Sequence, residues 1–367
     1  MSRSVVALLL SVSLLFSIGL LMVFNTTAAE IIDRSLDMNV HTALYKQIGY
    51  ACVGLFFGIV SYRMGHERLL RWSVPILIGI TGLLILVFIP GIGQTINGAR
   101  RWLGVFGFSF QPSECAKVII PSVFIQWALK QKGEIPFKPF LRILLALAIP
   151  TVLIFIEPDN GTTAILAAVL SILFLLTRVR WTYWALPLFA LLSIGGVAAS
   201  YMPHVPDRIR IYLHPELDLR GKGHQPHQAK IAAGSGGLFG RGFGESLQKL
   251  NYLPEARSDY IAAIYAEETG FVGMVVLIGL YGTLAYAGCA IALKAPTKEG
   301  FLLSSMLTFL ISIQAFLNLG IVSGLLPSKG MTLPFFSQGG TSLMVNLMAV
   351  FLLADIARKS NIQEVRS

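Results

Sequence analysis

Long apolar runs separated by short polar connections occupy most of the 367-residue chain. A helix that crosses a membrane needs roughly 20 predominantly apolar residues, and most of the runs are close to this length. We therefore predict an all-α polytopic membrane protein, a single membrane domain over residues 1–367. About ten transmembrane helices are expected, at residues 4–24, 48–62, 73–89, 113–129, 142–157, 161–177, 183–201, 263–293, 301–322 and 341–356. The eighth run is longer than one crossing needs, so its first turns are expected to stand above the membrane.

One polar stretch, about residues 202–262, interrupts this pattern between the predicted helices 7 and 8. It is far longer than an ordinary connection, and loops of that size usually carry function. Near its end, Pro254 favours the first turn of a helix, and a helix from there would place Glu255 and Asp259 on one face. Like charges at this spacing destabilise a helix, so the pair indicates a bound cation, a bound substrate or a raised pKa.

The composition agrees with a membrane protein, because 54% of the residues are hydrophobic and only 13% are charged. Soluble proteins have about 25% charged residues. The formal net charge of +10 comes from basic residues scattered over many loops, a distribution that does not indicate nucleic-acid binding. Three cysteines in or beside apolar runs provide no disulfide framework and no zinc-binding spacing.

The basic residues predict the orientation in the membrane. The short loops on one side carry 15 Lys and Arg residues, against five in the short loops on the other side. By the positive-inside rule the first side is cytoplasmic, which places both termini inside and the loop 202–262 outside. The 15 residues are Arg3, Arg63, Arg68, Arg71, Lys130, Lys132, Lys138, Arg142, Arg178, Arg180, Lys294, Lys298, Arg358, Lys359 and Arg366.

Charged residues near the outer ends of the spans are candidates for binding an anionic substrate. Arg100 and Arg101 lie in a loop with no acidic residue before the fourth span, and Lys329 lies in an irregular turn before the last span. Glu114 and Lys117, at i and i+3, open the fourth span. An ion pair in that place either has a function or pins two helices together.

Two further segments have weaker signals. The turn EPDNGTT at residues 157–163 joins the fifth and sixth spans, and we interpret its Asp159 as part of a solvated hairpin. The glycine-rich segment 234–246 matches no nucleotide-binding motif, and no predicted strand precedes it.

Eight motifs occur in an order that resembles one known family. They are NGARRW, QPSE–AK, EPDNGTT, LPEA–D, AEE–G–VG, QAFLNLG, LLPSKGMTLPF and GGTSLMVNL. Their order is similar to that in the SEDS family of shape, elongation, division and sporulation proteins, which includes FtsW, RodA and SpoVE. The resemblance covers about residues 5–360 and is closest to the FtsW cell-division branch.

The resemblance implies a peptidoglycan glycosyltransferase of the bacterial cytoplasmic membrane. Members of the family polymerise lipid II into glycan strands on the outer face of that membrane. If the transfer is a single displacement, the anomeric carbon of the donor sugar inverts. Asp259 matches the essential aspartate of the family. The resemblance further implies a role in septal wall synthesis, with a class B penicillin-binding protein and other division proteins as partners. Gln338, Arg257, Ser258 and Asn251 depart from the family pattern around the site.

The residues themselves suggest how such a reaction would proceed. Arg100, Arg101, Lys117 and Lys329 would hold the pyrophosphate of the donor, with Glu114 as the partner of Lys117, where charge develops on the leaving group. Asp259 would take the proton of the acceptor hydroxyl. A divalent cation, Mg²⁺ or Mn²⁺, between Glu255, Asp259 and the pyrophosphate would suit hard oxygen ligands.

Two other classes of function stay open at this point. A lipid II flippase would also be polytopic, but it would need ionisable groups near the membrane midplane, and this chain keeps its charges near the ends of the spans. A non-enzymatic scaffold that recruits a penicillin-binding protein would not need carboxylates and cations arranged on one face of the membrane.

Overall fold

The computed structural model describes residues 2–33, 41–96, 99–105, 108–200, 212, 215–218, 221, 223–250, 253–327 and 329–366. Each of the ten apolar runs coincides with a helix. The helices are α1 (Arg3–Asp33), α2 (His41–Met64), α3 (His66–Val87), α4 (Pro112–Leu129), α5 (Phe137–Ile156), α6 (Asn160–Leu176), α7 (Trp181–Ser200), α8 (His224–Ser235), α9 (Ile261–Leu293), α10 (Lys298–Val322) and α11 (Gly340–Arg366), with a 3₁₀ helix at Pro215–Asp218.

Seven helices in the described part of the chain are long and apolar enough to cross a membrane, namely α1, α2, α3, α5, α9, α10 and α11. This confirms the helical, multi-pass membrane architecture. That all ten runs cross the bilayer, and that the large polar loop follows the seventh crossing, stay predictions.

A small sheet between α3 and α4 adds to the predicted all-α fold. The strands β1 (Gly93–Ile96), β2 (Ala99–Val105) and β3 (Phe108–Phe110) form an antiparallel sheet in the order β1-β2-β3. The strands are short and lie in a loop between two strongly apolar runs, so no alternating pattern predicted them. The sheet fixes the direction of the basic residues that β2 carries.

Helix α4 lies at the centre of the helical packing, where it contacts α3, α6, α10 and α11. Nearly all of its side chains are buried, including those of Glu114 and Lys117. Pro112 occupies the first turn, where its missing N–H leaves no hydrogen bond unmade. Two charged groups in such a position are tolerated because they pair with each other, as described below.

Helix α9 is broken at Gly270, which has φ +69° and ψ −164°. The turns before the break are buried in the protein, whereas exposed apolar residues begin at Phe271. Four backbone hydrogen bonds join the break to the glycine-rich segment 237–242. They run from Arg241 N–H to Glu267 O (3.0 Å), Gly242 N–H to Glu268 O (3.1 Å), Phe271 N–H to Gly237 O (2.9 Å) and Val272 N–H to Leu238 O (3.1 Å).

Candidate active site

A polar cavity of about 630 Å³ lies between the three-stranded sheet, the first turns of α4 and α6, the turn before α9 and the segment before α11. Of the residues selected from the sequence, it is lined by Arg101, Glu114, Lys117, Glu255 and Asp259. The wall also includes Asp159, Lys46 and Arg257, so segments distant in sequence bring four carboxylates and four cations to one site. Such a cavity is suited to an anionic substrate that also offers hydroxyl groups.

Asp259 lies in a turn, and the predicted helix from Pro254 is wrong. Residues 254–260 form turns, and α9 begins only at Ile261. The backbone of Glu255 is left-handed, with φ +56°, and its carbonyl accepts hydrogen bonds from the N–H groups of Ser258 (3.1 Å) and Tyr260 (3.3 Å). Glu255 and Asp259 are therefore not at i and i+4 of a helix, yet both line the cavity.

Contacts from α10 and the segment before α11 hold this turn. The Asn318 side-chain amide donates to the backbone carbonyls of Asp259 (2.9 Å) and Met331 (2.6 Å). Gly330 lies so close that a Cβ there would be 2.9 Å from Asp259 Oδ2. Sequence reasoning assigned no role to Asn318 or Gly330, because each acts only through a residue that is distant along the chain.

The electrostatic surroundings of Asp259 raise the pKa of its carboxyl to about 7. Burial is the largest cause, because it penalises the charged form, and the negative charge of Glu255 acts in the same direction. The positive charge of Arg101 opposes them. A carboxyl that titrates near neutral pH can both accept and return a proton, which is the property of a general base.

We expect the rate of the reaction at this site to depend on the ionisation of Asp259. Only the ionised carboxylate accepts a proton, so initial rates should fall about tenfold per pH unit on the acid side of a pKa of about 7. Glu255→Gln removes a charge that raises this pKa, and it should move the acid limb of the profile to lower pH. Initial rates measured between pH 5 and 9 test this, with Glu245→Gln as control. If the acid limb of the Glu255→Gln profile lies at the same pH as that of the wild type, the limb does not report the ionisation of Asp259.

The two arginines of β2 face different surroundings. Arg101 lines the cavity, where its Nη1 is 3.7 Å from Asp159 Oδ1 and its guanidinium lies 5.7 Å from the centre of the Trp102 ring. Arg100 is not part of the cavity wall, and its Nη1 donates to the carbonyl of Phe88 (3.4 Å). The structure brings Arg101, and not Arg100, to the site.

Glu114 and Lys117 form a buried ion pair in the cavity wall. Lys117 Nζ lies 2.8 Å from Glu114 Oε2 and donates to Gln314 Oε1 at 3.1 Å. Gln314 in turn donates to the carbonyl of Thr332 at 3.0 Å. The pair joins α4 to α10, which agrees with the pinning interpretation. Both residues also line the cavity, and a function in substrate binding stays a prediction.

Lys329 lies outside the wall of the cavity. Its side chain is exposed, although its neighbour Gly330 lines the cavity. The structure therefore does not bring Lys329 together with Arg101 and Lys117, and it could contact only a part of a substrate that projects from the cavity.

Asp159 and Glu157 are both buried, which the interpretation of a solvated hairpin did not anticipate. Asp159 caps α6 by accepting from Thr162 N–H (3.1 Å) and also accepts from Gln111 and Ser113. Neither carboxyl oxygen of Glu157 has a hydrogen-bond partner among the described residues. Burial, followed by the charge of Asp159, raises the pKa of Glu157 to about 8, against the effect of Arg101.

The motif AEE, whose role the sequence did not reveal, fastens the large loop to α9. Glu267 accepts hydrogen bonds from Ser246 Oγ (2.5 Å) and from the N–H groups of Leu247 and Gln248 (both 3.2 Å). Glu268 lies 2.9 Å from the buried Lys249 ammonium. These bonds hold the loop a few residues before the turn that carries Asp259.

Glu255 and Asp259, the two carboxylates that the sequence suggests as metal ligands, both line the cavity. The negative charge of Glu255 acts on Asp259, and Ser258 Oγ donates to Glu255 Oε2 at 2.7 Å. Within the described ranges, the one group of three or more metal-ligating side chains is His66, Glu67 and Asp355. That group lies at the end of α3 remote from the sheet, and Lys359 already pairs with it.

The chain matches a known family over nearly its whole length. The sequence profile of the family described as cell cycle proteins, comprising FtsW, RodA and SpoVE, matches residues 6–362.

Individual relatives carry names from the same family. A probable peptidoglycan glycosyltransferase FtsW of Trichlorobacter lovleyi is 36% identical, over 95% of this chain and 92% of its own length. Stage V sporulation protein E of Bacillus subtilis is also 36% identical, over 95% of each chain.

Solved structures share the fold. One, from work on the structural coordination of polymerisation and crosslinking by a peptidoglycan synthase complex, superposes with a TM-score of 0.77. It is 26% identical and covers 96% of this chain and 97% of its own. The rod shape determining protein RodA of Thermus thermophilus superposes with a TM-score of 0.69 at 25% identity, over 96% of both chains.

Proposed function

The chain belongs to the FtsW, RodA and SpoVE family of cell cycle proteins, and we propose that it is a peptidoglycan glycosyltransferase that polymerises lipid II for septal wall synthesis. The observation that carries the proposal is Asp259, a carboxyl with a pKa of about 7 that lines the same polar cavity as Arg101. A proton acceptor and cations in one cavity provide what transfer of a sugar from a diphosphate requires.

In the proposed reaction, the Asp259 carboxylate takes the proton of the acceptor hydroxyl as its oxygen attacks the anomeric carbon of the donor. The bond between that carbon and the diphosphate oxygen breaks in the same displacement, so the configuration at the carbon inverts. Negative charge grows on the departing diphosphate, and Arg101 and Lys117 lie on the cavity wall to stabilise it. The Gln314 contact to Lys117 keeps that ammonium in place.

Glu255 and Asp259 would hold a divalent cation, Mg²⁺ or Mn²⁺, together with the diphosphate. Mg²⁺ is commonly bound by one or two carboxylates plus phosphate oxygens, and both Glu255 and Asp259 line the cavity. When bound, the ion would neutralise charge on the leaving group. The hydrogen bond that Ser258 Oγ donates to Glu255 Oε2 orients the Glu255 carboxylate.

Arg101→Ala is expected to cost about 2–4 kcal/mol of transition-state stabilisation, because Arg101 would contact the leaving diphosphate. Initial rates of polymerisation with purified protein and lipid II measure the loss. Arg100→Ala is the matched control, since the neighbouring side chain turns away from the cavity. Lys329→Ala should lose less than Arg101→Ala, because Lys329 is exposed and outside the wall. Wild-type rates for Arg101→Ala would remove this residue from the site.

The same assay separates the three classes of function. Purified protein in liposomes with labelled lipid II gives glycan polymer if the chain is a polymerase and flipped monomer if it is a transporter. A scaffold gives neither product. The burial of Asp259 beside Glu255 and Arg101 favours the polymerase, because a scaffold has no need of a carboxyl held near neutral pKa.

We place the protein in the bacterial cytoplasmic membrane with both termini in the cytoplasm and the cavity outside. Cysteines introduced at Glu245 and Lys132 test this in a background that lacks the three native cysteines, because both side chains are exposed. An impermeant maleimide should label position 245, and not position 132, in intact cells. The reverse pattern would invert the topology.

Lipid II and the nascent glycan strand would be the substrates, and a class B penicillin-binding protein the crosslinking partner. A partner of this kind is supported by the similar structure, which comes from work on a peptidoglycan synthase complex that coordinates polymerisation and crosslinking. Other division proteins would complete the assembly. Co-purification of the tagged chain with a transpeptidase from the same cell tests the partnership.

A further inference from the structure

The glycine-rich segment 237–243 is built into the break of α9. Four backbone hydrogen bonds join the segment and the helix, so the polar groups freed by the break at Gly270 are paired. Gly240 lies so close to the helix that a Cβ there would be 2.0 Å from Glu268 O. The segment therefore has a fixed position along α9.

The part of α9 beyond the break defines the level of the membrane. Residues 271–293 contain 23 residues without a charged side chain, and Lys294 follows them. At 1.5 Å per residue this stretch is about 34 Å long, enough to cross a hydrocarbon core of about 30 Å. The edge of the hydrocarbon core of the membrane therefore lies close to Phe271, whose backbone N–H donates a hydrogen bond to Gly237 O.

At this level the segment presents large apolar side chains outward. Leu238, Phe239 and Phe243 are 64%, 80% and 60% exposed in the isolated chain. Exposing apolar side chains of this size to water is unfavourable in free energy, whereas contact with lipid chains removes that penalty. Irregular backbone at membrane depth is tolerated when its polar groups are paired within the protein, and α9 pairs four of them here.

We propose that residues 237–243 dip into the leaflet on the cavity side and anchor the large loop to the bilayer, with Leu238, Phe239 and Phe243 against lipid chains. Lipid is favoured over a protein partner because the segment continues the exposed apolar surface of α9, which starts with Phe271 and Val272. Arg241 belongs to the same segment; its Nε lies 3.7 Å from Glu267 Oε1, and its side chain, 38% exposed, is long enough to extend toward lipid phosphates. The anchor is independent of the proposed catalytic activity.

The experiment measures the depth of single fluorescent labels in liposomes. Cys52, Cys115 and Cys289 are replaced by alanine, and Phe239→Cys is labelled with bimane. In vesicles of dibrominated phosphatidylcholine the label should lose about half or more of its fluorescence relative to unbrominated lipid, as a side chain within the leaflet requires.

Two other positions calibrate the result. Glu245→Cys is the matched control, because it is exposed in the same loop and should respond to aqueous iodide and not to brominated lipid. Val275→Cys, on the exposed face of α9, should be quenched by brominated lipid in every correctly folded preparation. A label at 239 that behaves like the one at 245 would overturn the proposal. So would a label at 239 that iodide reaches until a second membrane protein is added, since this face would then be a protein interface.

Discussion

Asp259→Asn is expected to abolish glycan polymerisation while the protein stays folded in the membrane. Asparagine keeps the size and the hydrogen-bonding geometry of aspartate, so the turn and its Asn318 contact to the Asp259 backbone should persist. It cannot accept a proton near neutral pH, and loss of a general base typically lowers a rate by about 10²- to 10⁴-fold. It is also a poorer ligand for a hard cation, which adds to the loss.

Rates of strand formation with purified variants and labelled lipid II measure this effect. Glu245→Gln is the control, because Glu245 is exposed and outside the cavity wall. Glu255→Gln should be milder than Asp259→Asn if Glu255 only tunes the pKa of Asp259, and comparable if both carboxylates hold one ion. If Asp259→Asn kept more than about a tenth of the wild-type rate, the role of general base would pass to another residue.

Lys249→Met is expected to destabilise the fold by about 3–5 kcal/mol, because removing one member of a buried ion pair leaves the other charge unpaired. Lys249 and Glu268 are 2.9 Å apart, and their side chains are 6% and 0% exposed. Lys249 also donates to Asn25 Oδ1 on α1 (2.8 Å), so its loss loosens the large loop from two helices. Thermal unfolding of the detergent-solubilised protein measures the change.

Two comparisons make the Lys249 prediction specific. The double variant Lys249→Met/Glu268→Gln should recover part of the lost stability, since no charge is then left buried. Arg180→Gln breaks an exposed pair with Glu134 and should leave the midpoint of unfolding close to that of the wild type. Equal effects of Lys249→Met and Arg180→Gln would contradict a buried, stabilising pair.

The helices were readable from the sequence because apolar runs of membrane length have few other interpretations. The sequence did not show which of the two side chains, Arg100 or Arg101, reaches the cavity. Neighbours on a strand point to opposite faces, so the two arginines separate as soon as β2 forms. Because the strand itself was not predicted, both residues were assigned to the phosphates, and only Arg101 reaches the cavity.

The turn that carries Asp259 shows a second limit. Pro254 and Glu255 are typical of a helix start, yet the chain turns for several residues first, and the left-handed Glu255 accepts the hydrogen bonds of that turn. The contacts that keep this conformation come from Asn318 and Gly330, which are distant from Asp259 along the chain. Local propensity carries no information on such contacts. The family resemblance could single out Asp259, but the local geometry of its turn could not be predicted.

The Asn318 amide gives α10 a mechanical connection to the reacting groups. The Asn318 side chain donates hydrogen bonds to the backbone carbonyls of Asp259 (2.9 Å) and Met331 (2.6 Å), whereas Arg101 belongs to strand β2 of the sheet. A sliding of α10 by about 1 Å would change the separation of base and cation, and misplacement of that size can alter a rate about 10²-fold. A force applied to α10 from within the bilayer would therefore change the rate of strand elongation.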